Sequence, residues 1–435
     1  MTGALFNAAM AVALLLLAWG FAQFMLWYRW GAAELETALA RLVEPRSDFT
    51  VVYLIPCLDE EAVVGNTVAS LLTLSPTATV IVIDDASDDR TGDLARLAGA
   101  TVVRRELPAA RLGKGPALNR GYREVLRLAA ARGFDPDRTI VCVMDADGRL
   151  SPDAIPQVLQ RFDNPRVGGV QLPVRIRNKA SWLARMQDFE FWGMSAVAQM
   201  ARIRTRSVSL GGNGQFTRLA ALRSVGAEPW SHALTEDLDL AIELTLRGWE
   251  LDCAAAAWVS QQGVETLAAL LRQRTRWYQG HMLCARKARS LWESPNVGRR
   301  PALETILYLI TPCFQLLPWS IVFTLGLGHF AATVAHGGAI PFDGVGIHVV
   351  FYASFWYLLT FLPPVVLGLQ YAQRSEDERV LGSVLKGHAQ VFYAYVNMAA
   401  AWRAVGRIAL GRTGWDKTAR SHEGVAEQQP LRRAA

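Results

Sequence analysis

The stretch Thr139–Asp147 (TIVCVMDAD) contains the two features from which the fold is predicted. Its first six residues form an apolar, β-branched run, which is typical of a strand buried on both faces of a sheet. Asp145 and Asp147 follow, two residues apart, so in an extended segment their side chains leave on the same side. Such a pair of hard oxygen ligands suits Mg²⁺ or Mn²⁺ bound together with substrate phosphates. The alternative is an ordinary solvated turn.

Upstream of this strand the sequence alternates between strand and helix signals. Val51–Pro56, Thr79–Ile83 and Thr101–Val103 are β-branched runs, and Val63–Leu74 has helical spacing. Such alternation predicts a parallel sheet with helices on both faces, in which ligands bind at the carboxyl ends of strands. Acidic residues follow three of the strands: Asp59, Glu60, Glu61, Asp84, Asp85, Asp145 and Asp147. Carboxylates gathered at one edge would repel one another without a cation.

Two further positions suit a nucleotide. Asp84 and Asp85 could accept hydrogen bonds from a ribose or a base edge. Lys114 lies between two glycines before a predicted helix, a setting in which it can approach a phosphate.

Thr235-Glu236-Asp237 begins a predicted helix that runs to about Arg247 and stops at Gly248. Thr235 is expected to cap this helix, and the helix dipole is expected to keep Asp237 ionised at pH 7. An ionised carboxylate at such a position can take a proton from an attacking hydroxyl group. The alternative is that these acids are merely favourable charges at a helix start.

Gln273, Arg276 and Trp277 stand at i, i+3 and i+4, so a helix presents them on one face. The planar fork of Arg276 can hold a diphosphate and stabilise charge on a leaving nucleotide. An amphipathic interfacial helix is the alternative, and the two are compatible. Three arginines are then expected to remain free for lipid headgroups: Arg272, Arg274 and Arg286.

The ordered set of Asp84-Asp85, the DxD at Asp145–Asp147, the TED at 235–237 and the QxxRW at Gln273–Trp277 resembles the family 2 glycosyltransferases with the GT-A fold. The QxxRW motif is similar to that of the membrane-embedded, often processive members, such as cellulose, chitin and hyaluronan synthases. The resemblance covers about Val51 to Gly280 and extends to the flanking membrane helices. It implies a GT-A-like cytosolic domain, a Rossmann-like mixed α/β sheet with helices on both faces, together with α-helical transmembrane segments.

The resemblance also implies roles for individual residues. Catalytic roles fall to Thr235, Glu236 and Asp237, with Asp237 as general base, and a metal site for Mg²⁺ or Mn²⁺ falls to Asp145 and Asp147. Trp277 helps to form the acceptor site. Nucleotide-sugar binding falls to Asp59, Glu61, Asp84, Asp85, Lys114, Asp145, Gln273 and Arg276. Where the polymer synthases carry a Cys-Gly-containing acceptor loop, this chain has LGGNGQF at 210–216, which makes Asn213, Gly214 and Gln215 acceptor candidates.

Four stretches lack charged residues in a chain of 435 residues that is 51% hydrophobic and 19% charged. Thr2–Tyr28 is long enough to cross a bilayer, and without a preceding basic residue it resembles a retained helix more than a cleaved signal peptide. Thr305–Phe342 and Gly344–Gln373 are expected to span as well. Gly387–Trp402 has only 16 residues, so it is expected to be interfacial, to pack against the bundle or to form a short fourth span.

Basic residues indicate the topology. Arg272–Arg300 holds eight basic residues and one acidic residue, Glu293, which places this segment in the cytoplasm and the loop at His336–Ala339 on the far side. We therefore expect a multi-pass protein of the cell (inner) membrane with a cytoplasmic catalytic domain. The predicted division is an N-terminal transmembrane helix (1–30), a GT-A domain (40–265), interfacial helices with QxxRW (266–301), a membrane region (302–410) and a basic tail (411–435).

Other classes of protein are disfavoured. The five cysteines are scattered and form no CxxC pair, so a disulfide framework or a zinc site is not expected. The sequence contains no basic stripe interleaved with aromatic residues of the kind that binds single-stranded nucleic acid.

The leading hypothesis from sequence is an inverting transferase that uses a UDP-sugar and builds a β-linked polysaccharide processively on a growing glycan. A second is a single-addition transferase that makes a β-glycolipid on diacylglycerol or a polyprenyl carrier. A third is a non-catalytic nucleotide-sugar-binding scaffold in an export complex. The sugar and the oligomeric state are not predicted.

Overall fold

The computed structural model describes residues 2–41, 43–44, 48–335, 354, 357–375, 377–412 and 414. The strands assigned there are β1 Thr50–Cys57, β2 Thr79–Asp84, β3 Thr101–Arg104, β4 Thr139–Val143, β5 Arg149–Leu150, β6 Val167–Gln171, β7 Val174–Ile176, β8 Gln215–Arg218, β9 Glu250–Cys253 and β10 Val259–Gln261. The α-helices are α1 Thr2–Ala40, α2 Val64–Leu74, α3 Thr91–Leu97, α4 Lys114–Arg132, α5 Ala154–Arg161, α6 Trp182–Asp188, α7 Ala196–Thr205, α8 Leu219–Val225, α9 Glu236–Leu246, α10 Leu267–Cys284, α11 Ala288–Glu293, α12 Arg299–Thr311, α13 Leu317–Ala335, α14 Leu362–Arg374 and α15 Val380–Ala409.

Two π-helical segments interrupt longer helices. Phe189–Ser195 joins α6 to α7, and Pro312–Leu316 joins α12 to α13. A short 3₁₀ turn, Ala285–Lys287, separates α10 from α11.

The central sheet has the order β3-β2-β1-β4-β8-β6-β9. The predicted strand–helix alternation is confirmed over its first half, where β3, β2, β1 and β4 pair in parallel. The sheet as a whole is mixed, because β8 runs antiparallel to both β4 and β6. The strand order reverses between β1 and β4, and a crevice at such a reversal is where ligands bind in open α/β sheets.

Alternating side chains fill the two faces of this sheet. Leu54 of β1 packs in one core with Ile83 and with Tyr122 of α4. Tyr53 and Ile55 pack in the other core, on the side of α2 and α5. Both faces are therefore covered, which explains why these strands are continuous apolar runs.

A second sheet, of order β5-β10-β7, lies beside the first. Helices connect the sheets to the ends of the chain: α1 packs on α7, and α15 packs on α10 and α14. The uncharged run Gly387–Trp402 is the middle of α15, where a Cβ on Gly387 would lie 2.7 Å from the backbone of α14 at Pro364 and Val365.

Among the described residues, one helix, Arg299–Leu325, is long and apolar enough to cross a membrane by length and composition alone. The uncharged run Thr2–Tyr28 is helical as part of α1. The loop at His336–Ala339, the first ten residues of the run that begins at Gly344 and residues 415–435 of the tail lie outside the described residues.

Candidate active site

A cavity of about 970 Å³ begins at the carboxyl ends of β1 and β4 and continues between the helices. Its polar part, here called the carboxylate end, is lined by Glu60, Asp85, Lys114, Asp145, Glu236 and Asp237. Its other part, here called the helix end, is lined by residues of α1, α7, α12, α13 and α14, including Phe21, Phe24, Trp27, Arg202, Tyr308, Trp319 and Pro363.

Lys114 is the cation at the centre of the carboxylate end. Its Nζ lies 2.7 Å from Asp145 Oδ1, 2.6 Å from the carbonyl oxygen of Gly212 and 3.9 Å from Glu236 Oε1. Lys114 is the first residue of α4, and Gly113 before it has a φ of 111°, a conformation that glycine adopts without strain. The cation that the clustered carboxylates require is therefore part of the chain.

Asp147 lies apart from Asp145. It is fully buried, its Oδ2 accepts a hydrogen bond of 2.8 Å from the backbone N–H of Gln262, and it is not part of the cavity wall. This differs from the prediction that both side chains leave on the same side, because the chain is not extended here. It turns after Asp145, where the N–H of Gly148 donates to the Asp145 carbonyl over 2.9 Å.

These residues fit a divalent ion that is held jointly with a nucleotide. The described residues contain no group of three or more His, Cys, Asp or Glu side chains that could hold a metal by themselves. Mg²⁺ commonly takes only one or two protein carboxylates and completes its shell with substrate phosphates and water. Asp145 reaches the cavity in a position to serve as such a ligand.

The acidic residues after β1 and β2 divide between the cavity and the loops. Asp85 lines the cavity, and its carboxylate lies 2.5 Å from Arg105 Nη1. Burial raises the pKa of Asp85, and Arg105 opposes this effect. Asp84 is buried against Arg104 at 2.7 Å and lies outside the cavity wall.

Asp59 and Glu61 hold a neighbouring loop. Asp59 Oδ1 accepts from the backbone N–H of Asp88 over 2.8 Å, and Glu61 Oε2 accepts from that of Arg90 over 3.1 Å. Glu60, which lies between them, is the member of this triplet that lines the cavity.

Thr235, Glu236 and Asp237 all line the cavity at the start of α9. Thr235 occupies the N-cap position, but its side chain does not cap the helix; its Oγ1 lies 3.6 Å from Cys284 Sγ. Asp237 Oδ1 accepts from the backbone N–H of Leu238 over 2.7 Å. The predicted position of the helix start is correct, whereas the predicted capping bond is not formed.

Two buried carboxylates side by side raise each other's affinity for a proton. Burial, followed by the charge of Asp237, raises the pKa of Glu236 to about 7. Burial also raises the pKa of Asp237, and Lys114 opposes this effect. At this helix start the effect of burial on the pKa of Asp237 therefore exceeds the opposing effect of the helix dipole.

The α10 helix presents Gln273, Arg276 and Trp277 to the cavity. Arg276 acts electrostatically on Glu236, lowering its pKa. The helix approaches the TED segment closely, because a Cβ on Gly280 would lie 2.6 Å from Thr235 Cγ2. The glycine therefore lets the arginine and tryptophan face the same space as Asp237.

The prediction that Arg274 is free for lipid is wrong. Its side chain is buried, with Nη2 2.6 Å from Glu190 Oε2, and its Cζ lies 4.4 Å from the ring centroid of Trp277. The ring of Trp277 in turn meets that of Phe191 edge-on, with centroids 6.0 Å apart. Arg272 and Arg286 are exposed, as expected.

Of the three acceptor candidates, Asn213, Gly214 and Gln215, only Asn213 lines the cavity. Its Oδ1 accepts from the N–H of Asp145 over 3.1 Å, and its Nδ2 donates to Gln261 over 2.9 Å. Gln215 is buried in β8 and donates to Thr217 over 3.2 Å, and Gly214 has a φ of 66° and packs against Val259. Asn213 thus holds the DxD backbone in place.

Sequence reasoning missed several charged residues near the site. Arg104 and Arg105 had a usable signal, since Arg104 is the last residue of β3, the strand that neighbours β2, and Arg105 follows it. Glu190 had none, because it lies in a π-helical segment 84 residues from its partner Arg274.

Comparison with known proteins agrees with the geometry. Residues 45–280 match the model of a family described as glycosyltransferase-like family 2. The chain is 33% identical over 286 residues to a β-monoglucosyldiacylglycerol synthase of Synechocystis sp., an alignment that covers 60% of this chain and 57% of that protein. It is 26% identical over 362 residues to a poly-β-1,6-N-acetyl-D-glucosamine synthase of Staphylococcus epidermidis, covering 80% of this chain and 81% of that one.

The alignment with the first of these relatives spans little more than half of that protein's length. Among solved structures, the mannosyltransferase PcManGT from Pyrobaculum calidifontis, in complex with GDP-Man and Mn²⁺, superposes with a TM-score of 0.58 at 16% identity. That match covers 93% of this chain and 100% of the other, and it shows that the fold is shared.

Proposed function

This chain belongs to glycosyltransferase-like family 2, and we propose that it moves a sugar from a UDP-linked donor to a hydroxyl group of a membrane lipid, with inversion at the anomeric carbon. The nucleotide sugar occupies the carboxylate end of the cavity, and the lipid enters through the helix end.

One observation carries this proposal. The cavity that holds Asp145 and Asp237 is continuous with a space lined by apolar side chains of α1, α13 and α14. Its walls at the helix end include Phe21, Phe24, Trp319 and Pro363. Such walls suit an acyl chain, and they belong to the same cavity as the carboxylates. The sequence favoured a polymer product, and the shape of the cavity shifts the preference to the lipid.

The proposed reaction is a single displacement. The acceptor oxygen attacks the anomeric carbon while its proton passes to Asp237, and the bond from that carbon to the diphosphate breaks with its electron pair leaving on UDP. Arg276 lies on the same cavity wall, where its guanidinium can stabilise the charge that develops on the leaving group. One displacement converts an α-linked donor into a β-linked product.

The remaining residues prepare this step. Lys114, between Asp145 and Glu236, supplies positive charge beside the diphosphate. A divalent ion bound at Asp145 would supply further charge stabilisation to the phosphates. Burial and the charge of Asp237 raise the pKa of Glu236 to about 7, and Trp277 faces the acceptor as a flat apolar surface.

A growing β-linked polysaccharide is the second candidate acceptor. Amide side chains also line the helix end, namely Gln23, Gln315, Gln390 and Asn397. Amides together with Trp277 form a surface that suits sugar hydroxyls and sugar faces. The alignment with the poly-β-1,6-N-acetyl-D-glucosamine synthase over 80% of the chain adds support to this alternative.

We further propose that the enzyme works at the cytoplasmic face of the cell membrane. The candidate span Arg299–Leu325 and the uncharged part of α1 support membrane insertion. The proposed organisation has five parts: a helix at 1–30, a catalytic domain at 40–265, interfacial helices at 266–301, a membrane region at 302–410 and a tail at 411–435.

Reconstitution tests the function directly. The full chain in lipid vesicles is given radiolabelled UDP-glucose, UDP-galactose or UDP-N-acetylglucosamine with Mg²⁺ or Mn²⁺. We expect a labelled lipid that carries one sugar, resolved by thin-layer chromatography of the organic extract. A ladder or a high-mass product would favour the polysaccharide instead. If none of these donors is consumed with either metal, the proposed reaction is refuted.

A further inference from the structure

Arg202 is a buried cation in the wall of the helix end. It lies on α7 and is 3% exposed. Its guanidinium carbon lies 4.0 Å from the ring centroid of Tyr308, and its Nε is 3.4 Å from Ser207 Oγ. Burial lowers the pKa of Arg202, and arginine stays charged near neutral pH even after a moderate shift.

In the described part of the chain no carboxylate oxygen lies within 4.0 Å of Arg202. Glu304 acts on it only from a greater distance. The other buried cations of the cavity wall differ in this respect, because Arg274 is paired with Glu190 at 2.6 Å and Lys114 with Asp145 at 2.7 Å.

Leaving a buried charge without a counter-ion is costly, so a chain that keeps one uses it for something other than stability. The neighbouring His281 does not serve as a second cation, since burial lowers its pKa to about 4. Its Nε2 lies 2.8 Å from the carbonyl oxygen of Tyr308. Arg202 is thus left to meet an anion that enters the cavity.

The donor diphosphate is not that anion. The phosphates of the donor are expected beside Lys114 and Asp145, at the carboxylate end. Arg202 instead packs on the ring of Tyr308 in α12, the helix with which the candidate span Arg299–Leu325 begins. It therefore faces the helix end, through which the acceptor is proposed to enter.

Resting on the proposed function, we infer that Arg202 binds the phosphate group of the acceptor, which is therefore an anionic phospholipid with a free hydroxyl group rather than a neutral lipid. The guanidinium fork holds two phosphate oxygens and brings the hydroxyl of the same headgroup toward Asp237. The acyl chains extend along the apolar walls of α1 and α13.

Two acceptors that both carry a free hydroxyl separate these chemistries. The full chain is reconstituted in phosphatidylcholine vesicles that contain either phosphatidylglycerol or diacylglycerol, with the donor and metal that support turnover. We expect kcat/KM for phosphatidylglycerol to exceed that for diacylglycerol by about 10-fold or more. This is the gain in binding that a hydrogen bond between charged groups typically gives. In Arg202→Met this preference disappears through a higher KM for phosphatidylglycerol.

Stability provides a second readout. Because no carboxylate lies within 4.0 Å of Arg202 in the described part of the chain, Arg202→Met should leave the thermal midpoint equal to or above that of the wild type. Arg202→Lys keeps a charge without the fork and should retain only part of the preference. Arg289→Gln changes a side chain that is 85% exposed in the basic segment Arg272–Arg300. It therefore controls for a general attraction of the basic surface to anionic vesicles.

The outcomes are distinguishable. Equal use of both lipids by wild type and Arg202→Met would overturn the inference and leave the proposed function intact. Absence of transfer to either lipid by the wild type would count against the proposed function itself. A lower Tm for Arg202→Met with an unchanged lipid preference would mean that Arg202 is structural. Inorganic phosphate that binds at Arg202 without any preference between the lipids would point to a free-phosphate site and overturn the lipid assignment.

Discussion

The two ends of the cavity balance charge in different ways. At the carboxylate end, cations of the chain lie beside two of the acids, as Asp145 has Lys114 at 2.7 Å and Asp85 has Arg105 at 2.5 Å. At the helix end, Arg202 has no carboxylate within 4.0 Å among the described residues. At the carboxylate end, a metal that arrives with the nucleotide could take the place of Lys114 beside Asp145. The helix end is built to receive an anion.

The largest effect is expected where the two ends meet, at Asp237. Asp237→Asn removes the base that takes the acceptor proton, so turnover should fall by about 10²- to 10⁴-fold, the usual contribution of a general base. Release of UDP in the presence of acceptor measures this. Glu243→Gln on the same helix is the matched control, since Glu243 is held by Lys287 and Arg247 away from the cavity. Near-normal turnover of Asp237→Asn would remove Asp237 from the mechanism.

The buried ion pair between Glu190 and Arg274, in the cavity wall, should affect stability strongly when one partner is removed. Glu190→Gln leaves the buried Arg274 without its anion, and removing one member of a buried ion pair typically costs about 3–5 kcal/mol. The free energy of unfolding in detergent measures this. Replacing both residues, as Glu190→Gln with Arg274→Met, should recover most of the loss. If the double variant is as unstable as the single one, the pair contributes through something other than its charge.

Lys114 tests the balance of charge at the carboxylate end. Lys114→Gln leaves Asp145 and Glu236 without their shared cation and removes a contact to the diphosphate, so KM for the donor should rise by about 10- to 100-fold. Initial rates against donor concentration measure this, and acceptor KM should change little. A rise in the acceptor KM alone would mean that Lys114 contacts the acceptor and not the donor diphosphate.

The smallest effect is expected in the pH profile. The pKa of Asp237 is raised, so the base is lost at a higher pH than an ordinary aspartate, as pH falls through that raised value. Asp237 is charged while its neighbour Glu236 titrates, and burial together with this charge raises the pKa of Glu236 to about 7. Glu236→Gln removes that titration, so any inflection near pH 7 should disappear from the profile of kcat/KM, whereas the acidic limb set by Asp237 stays. Profiles from pH 5 to 9 measure this. An inflection near pH 7 that persists in Glu236→Gln would contradict its assignment to Glu236.

The parts of the fold that could be predicted are those with a local signal. The apolar runs of β1, β2 and β4 identified the strands to within about a residue, because a strand buried on both faces is apolar over most of its length. The short β8 (QFTR) could not be recognised in this way, since it is held by its two antiparallel neighbours rather than by its own pattern.

The site divides in the same manner. The QxxRW spacing correctly placed Arg276 and Trp277 on one face of a helix. The partner of Arg274 could not be predicted, because no spacing rule relates it to Glu190. Asp147 was misplaced because a period-two argument holds only in an extended chain, and the chain turns at Gly148.

The π-helical segment Phe189–Ser195 determines which face of α7 looks into the cavity. One residue added to an α-helix rotates everything after it by about 100° about the helix axis. The π-helical segment therefore rotates Gln199 and Arg202 about the helix axis, relative to where an uninterrupted α-helix continuing α6 would place them. Deleting one residue from this π-helical segment would leave the sequence of α7 unchanged. It would nevertheless rotate α7 about its axis and turn Arg202 away from the cavity. The identity of the acceptor thus depends on the phase of a helix as well as on its residues.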